Sequence, residues 1–102
     1  MRRVLVQYKV KADSAAENEA FISKVFEELK QTMPDGLRYA SFKKADGVSF
    51  VHIASIETED GSNPLDGSQA FKAFQEGIRD RCEEPPVAVE LTEIGSYRVL
   101  GE

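Results

Sequence analysis

Hydrophobic and polar residues alternate near the start of the chain. Between Arg3 and Lys11, the even-numbered positions are apolar or aromatic (Val4, Val6, Tyr8, Val10), and most odd-numbered positions are polar. A period of two is typical of a β-strand with one buried face. The sequence therefore opens with a predicted strand.

The spacing then changes to three and four residues, which predicts an amphipathic helix. Its apolar positions are Phe21, Ile22, Val25, Phe26, Leu29 and Met33. Ser14 and Glu17 have the spacing of a capping box at the start, and the Pro34-Asp35-Gly36 segment is expected to end the helix.

Two β-rich runs follow, at residues 37–44 and 48–56, on either side of Ala45-Asp46-Gly47. Because glycine accepts the positive φ of a tight turn, Asp-Gly between such runs predicts a β-hairpin. Residues 57–67 are polar and are predicted to form a solvated loop.

A second helix is predicted over residues 68–82, with an apolar stripe of Ala70, Phe71, Phe74, Ile78 and Cys82. Pro85 and Pro86 cannot donate backbone hydrogen bonds, so the helix is expected to stop before them. Residues 87–92 alternate again and predict a last strand, followed by a tail over residues 95–100 that extends this strand or turns away from it.

The predicted order is strand, helix, strand, strand, helix, strand, in one domain spanning residues 1–102. This β-α-β-β-α-β order is the split-βαβ pattern of the ferredoxin-like fold. We therefore expect an α+β protein whose four-stranded antiparallel sheet carries both helices on one face.

The other face of such a sheet meets water or a partner. The third strand is apolar on both sides, with Phe50, His52, Ala54 and Ile56 on one and Val51 and Ile53 on the other. Leu5 and either Tyr39 or Phe42 would add to the uncovered face. A wide apolar sheet face usually marks an interface, so we expect a homodimer formed by sheet-on-sheet packing. The alternative is a few scattered surface hydrophobes.

Composition narrows the possible partners and cofactors. The net charge of −5 disfavours binding to a phosphate backbone, so no nucleic-acid partner is expected. One cysteine, Cys82, and one histidine cannot form a zinc site, and no segment has the length and apolarity of a membrane span. We expect a soluble, cytoplasmic protein without a metal ion or membrane contact.

Several segments together resemble the antibiotic biosynthesis monooxygenase-like domains of the dimeric α/β-barrel group. They are Tyr8-Lys9-Val10-Lys11, Pro34-Asp35-Gly36-Leu37-Arg38-Tyr39, Phe50-Val51-His52-Ile53 and Ala70-Phe71-Lys72-Ala73-Phe74. The resemblance runs over nearly the whole chain. It implies a homodimer whose paired sheets form a barrel, with a ligand pocket between sheet and helices in each subunit.

The resemblance also implies a choice of activities. Family members include cofactor-independent oxygenases of polycyclic phenols, haem-degrading enzymes and small isomerases. The haem-degrading relatives use an Asn, a Trp and a His, whereas this chain has Leu5-Val6-Gln7 on the first strand, no Trp, and Phe74-Gln75 on the second helix. Haem degradation by that mechanism is not expected, and neither is any bound cofactor. The quinone-forming oxygenases also rely on Trp.

His52 is the candidate catalytic acid or base, because it has the only side chain that ordinarily titrates near neutral pH. Tyr8 would orient the substrate, and Phe50, Phe71 and Phe74 are candidates for the pocket wall. The alternative for His52 is a core histidine bonded to a tyrosine or to backbone. Two functions stay open: a cofactor-independent monooxygenase or isomerase for an aromatic or enolic molecule, and a non-catalytic binding or interaction module.

Overall fold

The computed structural model describes residues 1–99 and contains four strands and three helices. The strands are β1 (Arg2–Val10), β2 (Leu37–Lys43), β3 (Ser49–Ile56) and β4 (Cys82–Leu91), and the helices are α1 (Ala15–Thr32), α2 (Gln69–Glu76) and α3 (Ile78–Arg81). Single 3-10 turns lie at Ala12–Ser14 and Pro64–Gly67. Leu100, the last residue of the predicted tail, lies outside the described residues.

The four strands form one antiparallel sheet in the order β2-β3-β1-β4. β1 and β3 are its two central strands, with Tyr8 opposite Phe50 and Val6 opposite His52. The prediction of an α+β protein with a ferredoxin-like antiparallel sheet is confirmed.

The core lies between one face of this sheet, called the inner face here, and the helices. Tyr8, Val10 and Phe50 of the sheet pack with Val25 of α1 and Phe74 of α2. The third strand therefore turns its even-numbered residues towards the helices. Val51 and Ile53 lie on the opposite, outer face.

The hairpin between β2 and β3 has the predicted turn. Gly47 adopts a φ of 78°, which a residue with a side chain rarely does. The Asp46 carboxylate accepts hydrogen bonds from the backbone N–H groups of Val48 and Ser49. Together with the Ser49 hydroxyl, these bonds lower the pKa of Asp46 to about 2. The turn thus fixes the register that places His52 opposite Ser41.

The predicted end of the second helix is wrong. The helix is interrupted at Gly77, and Cys82 begins β4 instead of completing a helical stripe. Pro85 and Pro86 lie inside this strand, where the pairing with β1 shifts register. Proline is tolerated there because β4 is an edge strand and the register shift leaves local backbone groups outside the ladder.

The start of α1 also differs in detail. Ser14 occupies the N-cap position as predicted, but its side chain makes no capping hydrogen bond. Side-chain caps occur later in the chain, at Asn63 for the second 3-10 turn and at Ser68 for α2. The Glu28 carboxylate of α1 also bonds to the Ser68 hydroxyl and the Ala70 N–H. This contact ties α1 to the start of α2.

The outer face of the sheet has an apolar centre. Phe42, Val51 and Val87 form one row with Gln7, while Ile53, Leu5 and Val89 form the next with Ala40. Phe42, not Tyr39, contributes to this face, because Phe42 pairs with Val51. The ion pairs that the structure describes on the outer face lie towards the two ends of the strands. They join Arg3 to Glu57 and Glu93, Arg38 to Glu57, and Lys9 to Glu83.

Candidate functional site

His52 lies in the middle of β3, on the inner face, with only 5% of its surface exposed. Its neighbours across the sheet are Val6 of β1 and Ser41 of β2. The alternation of β3 places Phe50 and Ala54 on the same face as the imidazole. The strand therefore holds the histidine under the helices, where water reaches little of it.

Both nitrogens of the imidazole have hydrogen-bond partners. The Tyr8 hydroxyl lies 2.7 Å from Nε2. The Tyr39 hydroxyl lies 2.7 Å from Nδ1, and the Ser41 hydroxyl lies 2.8 Å from the same atom. His52 thus joins side chains from the three strands β1, β2 and β3.

Burial keeps this group of side chains uncharged. Loss of hydration lowers the pKa of His52 to about 4, so the imidazole is neutral at pH 7. Burial also raises the pKa of Tyr39 to about 12, against a smaller lowering effect of the Ser41 hydrogen bond. It raises the pKa of Tyr8 further, although the hydrogen bond from Asn18 opposes that shift.

Two buried polar residues extend the group towards the helices. The side-chain amide of Asn18, on α1, donates from Nδ2 to the Tyr8 hydroxyl at 2.9 Å. Nε of Arg81, on α3, donates to Oδ1 of Asn18 at 3.2 Å. Arg81, Asn18, Tyr8, His52 and Tyr39 thus form one continuous chain of hydrogen bonds.

Arg81 is 5% exposed, and no carboxylate among residues 1–99 forms a salt bridge with its guanidinium. It lies over the rings of Phe21 and Phe74, at 4.6 and 5.4 Å from their centroids. Nη2 also donates to the backbone carbonyl of Phe74 at 2.8 Å. Aromatic faces and a carbonyl take the place of a counter-ion for this cation.

A cavity of about 270 Å³ opens beside His52. Its wall combines the aromatic side chains Tyr8, Tyr39, Phe71 and Phe74 with the imidazole, and its remaining apolar residues are Val4, Val6, Ala54, Ile56, Leu65, Ile78 and Pro86. Arg2, Asn63 and Gln75 contribute polar parts. An apolar cavity of about 150 Å³ in another protein holds benzene, so this one has room for a small aromatic molecule.

The structure brings four of the predicted site residues together at this cavity: His52, Tyr8, Phe71 and Phe74. Phe50 is not among the residues that line it. Phe50 is 2% exposed, and its ring stacks against that of Tyr8 at 5.6 Å between centroids. Phe50 thus supports the Tyr8 ring in the core. The Tyr8 hydroxyl has partners in both Asn18 and His52, so it has little capacity left to orient a ligand.

Sequence reasoning missed Asn18, Ser41 and Arg81 as members of the site. Asn18 carried a signal, because it lies three and seven residues before Phe21 and Val25, on the apolar stripe of α1. Arg81 likewise follows Phe74 and Ile78 at helical spacing. A polar residue on an apolar stripe needs a buried hydrogen-bond partner, and here Asn18 and Arg81 are partners of each other.

The chemistry available is that of a neutral hydrogen-bond network beside an apolar cavity. No group of three His, Cys, Asp or Glu side chains converges to hold a metal ion anywhere in residues 1–99. No helix in this part of the chain is long and apolar enough to cross a membrane. Such a network can bind and orient an oxygen atom of a ligand, and it can stabilise charge that develops on that atom.

The sequence matches no protein-family model and no curated protein. Solved structures do resemble the fold. One is an antibiotic biosynthesis monooxygenase, with a TM-score of 0.73 and 18% identity over 93% of this chain and 100% of that one. Another is SnoaB of Streptomyces nogalater, a cofactor-independent oxygenase, with a TM-score of 0.67 and 15% identity over 93% and 94% of the two chains.

A third, NE2512 of Nitrosomonas europaea, is a protein of unknown function, with a TM-score of 0.72 and 13% identity over 94% of this chain and 91% of that one. The structures thus match along nearly their whole length, and the function of NE2512 is unknown. At these identities the likeness concerns the fold. The fold of this chain is similar to that of solved antibiotic biosynthesis monooxygenases.

Proposed function

We propose that this protein is a cofactor-independent enzyme that acts on a small aromatic or enolic molecule in the cavity beside His52. The observation that carries the proposal is the composition of the cavity wall. Aromatic and aliphatic side chains form most of it, and His52 and Tyr39 form one polar corner. Small-molecule sites commonly combine a large apolar wall with a few polar groups that orient the ligand.

The polar corner suits a substrate that carries a phenol, enol or ketone oxygen. Hydrogen bonding to this oxygen would favour the phenolate or enolate over the neutral form, and the released proton would pass to solvent water. Since both imidazole nitrogens have partners, His52 would act on the substrate through the Tyr39 hydroxyl.

Two outcomes follow for such an anion. In the oxygenase reaction, a carbon of the anion adds to O₂ to give a hydroperoxide, which loses water and leaves a carbonyl group. With 1-naphthol, for example, one O₂ is consumed, and the products are 1,4-naphthoquinone and one water. The substrate supplies the electrons, so no redox cofactor is required. In the isomerase reaction, a carbon of the enolate takes up a proton instead, so the enol is converted into its ketone.

The same proposal includes a cytoplasmic homodimer formed through the outer face of the sheet. The exposed apolar residues of that face, among them Phe42, Val87 and Val89, support it. Arg3, Lys9 and Arg38 at the ends of the strands form ion pairs within the chain, so a second copy would meet an apolar centre with a polar rim. The resemblance noted from the sequence implies the same assembly.

The second candidate is a binding module that performs no reaction. This function is favoured because both nitrogens of the His52 imidazole already have hydroxyl partners. At neutral pH neither nitrogen therefore offers a free lone pair to a ligand. In that case a ligand would occupy the cavity without being changed.

Turnover in the absence of added cofactors separates these functions. For the oxygenase reaction, purified protein would be mixed with 1-naphthol in air, and oxygen uptake and product mass would be measured. For the isomerase reaction, it would be mixed with phenylpyruvate enol under argon, and loss of the enol absorbance would be measured. An enzyme is expected to accelerate one of them, and His52→Gln should reduce the rate at least ~100-fold. The exposed substitution Lys24→Gln is the matched control. Saturable binding without turnover would support the binding module, and no binding would contradict both.

A further inference from the structure

The chain of hydrogen bonds that ends at Tyr39 has a direction, and the direction follows from chemistry at its other end. The Arg81 guanidinium can only donate hydrogen bonds. The atom of Asn18 that faces Nε of Arg81 is therefore the carbonyl oxygen, Oδ1. This leaves Nδ2, a donor, towards the Tyr8 hydroxyl.

The burial of Tyr8 determines which group donates in the next hydrogen bond, between Tyr8 and His52. The Tyr8 oxygen already accepts a hydrogen from Asn18, and Tyr8 is 5% exposed. If Nε2 of His52 also donated to this oxygen, the hydroxyl hydrogen of Tyr8 would be buried without an acceptor, which is costly. Tyr8 therefore donates its hydrogen to Nε2 across the 2.7 Å contact.

A neutral imidazole carries one hydrogen, so an accepting Nε2 places that hydrogen on Nδ1. Nδ1 then donates to the hydroxyl oxygens of Tyr39 and Ser41, which lie 2.7 and 2.8 Å away. The Tyr39 oxygen is an acceptor in this arrangement, so its own hydrogen is not used in the bond to His52. Tyr39 lines the cavity and Ser41 does not, which leaves this hydrogen for a ligand oxygen.

We propose that Asn18, held by Arg81, is a positioning residue that fixes the Nδ1–H tautomer of His52 and so turns the Tyr39 hydroxyl into the hydrogen-bond donor for a ligand oxygen. The identity of the ligand rests on the proposed function, whereas the donor-to-acceptor direction of the hydrogen bonds from Arg81 to Tyr39 does not. The site would select molecules with an accepting oxygen, such as a ketone, a phenolate or an enolate, over hydrocarbons of the same shape.

Gly77 shows how closely Arg81 is fitted. A Cβ atom at this glycine would lie 2.9 Å from Nη1 of Arg81, well inside contact distance. The break between α2 and α3 at Gly77 thus leaves space for the guanidinium beside Phe21 and Phe74. The cation that orients Asn18 is held by packing on several sides.

The direct test is ¹⁵N NMR of the imidazole, which is unambiguous because His52 is the only histidine. In the wild-type protein at pH 7 without ligand, we expect hydrogen on Nδ1. Asn18→Asp replaces the donating amide with an accepting carboxylate that can still bind Arg81. Tyr8 should then donate to that carboxylate and accept from His52, so hydrogen should move to Nε2. Hydrogen on Nε2 in the wild type, or no change in the variant, would overturn the proposal.

The donor role of Tyr39 is tested with two ligands of similar shape, acetophenone and ethylbenzene, in a Ser41→Ala background that leaves Tyr39 as the hydroxyl partner of Nδ1. Adding Asn18→Asp should make Tyr39 donate to Nδ1 and weaken acetophenone binding about 2–10-fold, the effect of one neutral hydrogen bond. Ethylbenzene binding should not change. Equal weakening of both ligands would contradict the donor role.

These two tests separate the inference from the proposed function. If the tautomer is as expected and neither ligand binds the wild-type protein, the function is wrong and the direction of the chain stands. If both ligands bind and the wild-type imidazole carries its hydrogen on Nε2, the function stands and the role of Asn18 is wrong. If Asn18→Asp fails to fold, the wild-type measurement still tests the direction of the hydrogen-bond chain, and hydrogen on Nε2 would overturn the proposal.

Discussion

The hydroxyl of Tyr8 lies 2.7 Å from Nε2 of His52, and this bond links the two central strands of the sheet. The two residues are diagonal neighbours, since Tyr8 pairs with Phe50 and His52 pairs with Val6. Their rings also stack, at 5.3 Å between centroids and 24° between planes. The contact fixes the imidazole on one side and leaves its other nitrogen to the residues of β2.

The pH dependence of stability should report the burial of His52. The pKa is about 4 in the folded protein and 6.5 for an ordinary histidine, so the unfolded chain binds more protons between these values. The free energy of unfolding should therefore rise with pH from about 4 to 6.5, by about 3 kcal/mol in total, and level off above.

Urea unfolding at fixed protein concentration between pH 4.5 and 7.5 measures this slope. His52→Gln is the control, because glutamine does not titrate in this range and carboxylates such as Glu57 are unchanged. The variant should lose most of the dependence between pH 5 and 6.5. The same slope in both proteins would show that other groups cause it.

A methyl group at Gly77 should destabilise the protein through Arg81. In Gly77→Ala the new Cβ would overlap Nη1, so the guanidinium must move and its bonds to Phe74 and Asn18 would be strained or lost. Loss of a buried bond to a charged group costs about 1.5–3 kcal/mol, more than alanine gains from its helix propensity.

Thermal and urea unfolding would measure this change. Gly67→Ala is a matched control, because a Cβ at Gly67 meets nothing within 4 Å. It should have a much smaller effect. Equal stability of Gly77→Ala and the wild type would mean that Arg81 can move without cost.

Much of the architecture follows from local patterns. The alternation of β1, the helical spacing of α1 and the Asp46-Gly47 turn each depend on neighbouring residues, and each was predicted correctly. The end of the second helix was not, because Pro85 and Pro86 stop a helix but are also compatible with an edge strand beside a register shift. Only the pairing of β4 with β1 decides between these outcomes.

The site was only partly predictable for a similar reason. His52 and Tyr8 attract notice as a titrating residue and a tyrosine on an apolar strand face. Asn18 and Arg81 are 63 residues apart, and their contact exists only once α3 packs against α1. A polar residue on an apolar stripe indicates that a buried partner exists. Which residue is the partner depends on the tertiary structure.

Introducing a charge on the outer face of the sheet should dissociate the proposed homodimer. Ile53 lies between Leu5 and Ala40 in the apolar centre of that face. In Ile53→Asp a dimer would bury an unpaired carboxylate, which is strongly unfavourable. Dimers of this kind should bury on the order of 2,000 Å² in total.

Sedimentation velocity at micromolar concentration would give the assembly state. Ala73→Asp, on the exposed side of α2, adds the same charge away from the sheet and should remain dimeric. Circular dichroism would establish that Ile53→Asp is folded. A wild-type protein that sediments only as an 11.3 kDa monomer would contradict the dimer.

The central claim is that a small molecule with an aromatic ring and an oxygen atom occupies the cavity beside His52. Titration of 1-naphthol, followed by calorimetry and by the imidazole ¹⁵N resonances, tests it most directly. We predict saturable binding that shifts those resonances, that is lost when Ala54→Phe fills the cavity, and that weakens about 2–10-fold in Tyr39→Phe. Absence of binding to the wild type, or equal binding to a folded Ala54→Phe variant, would contradict the account.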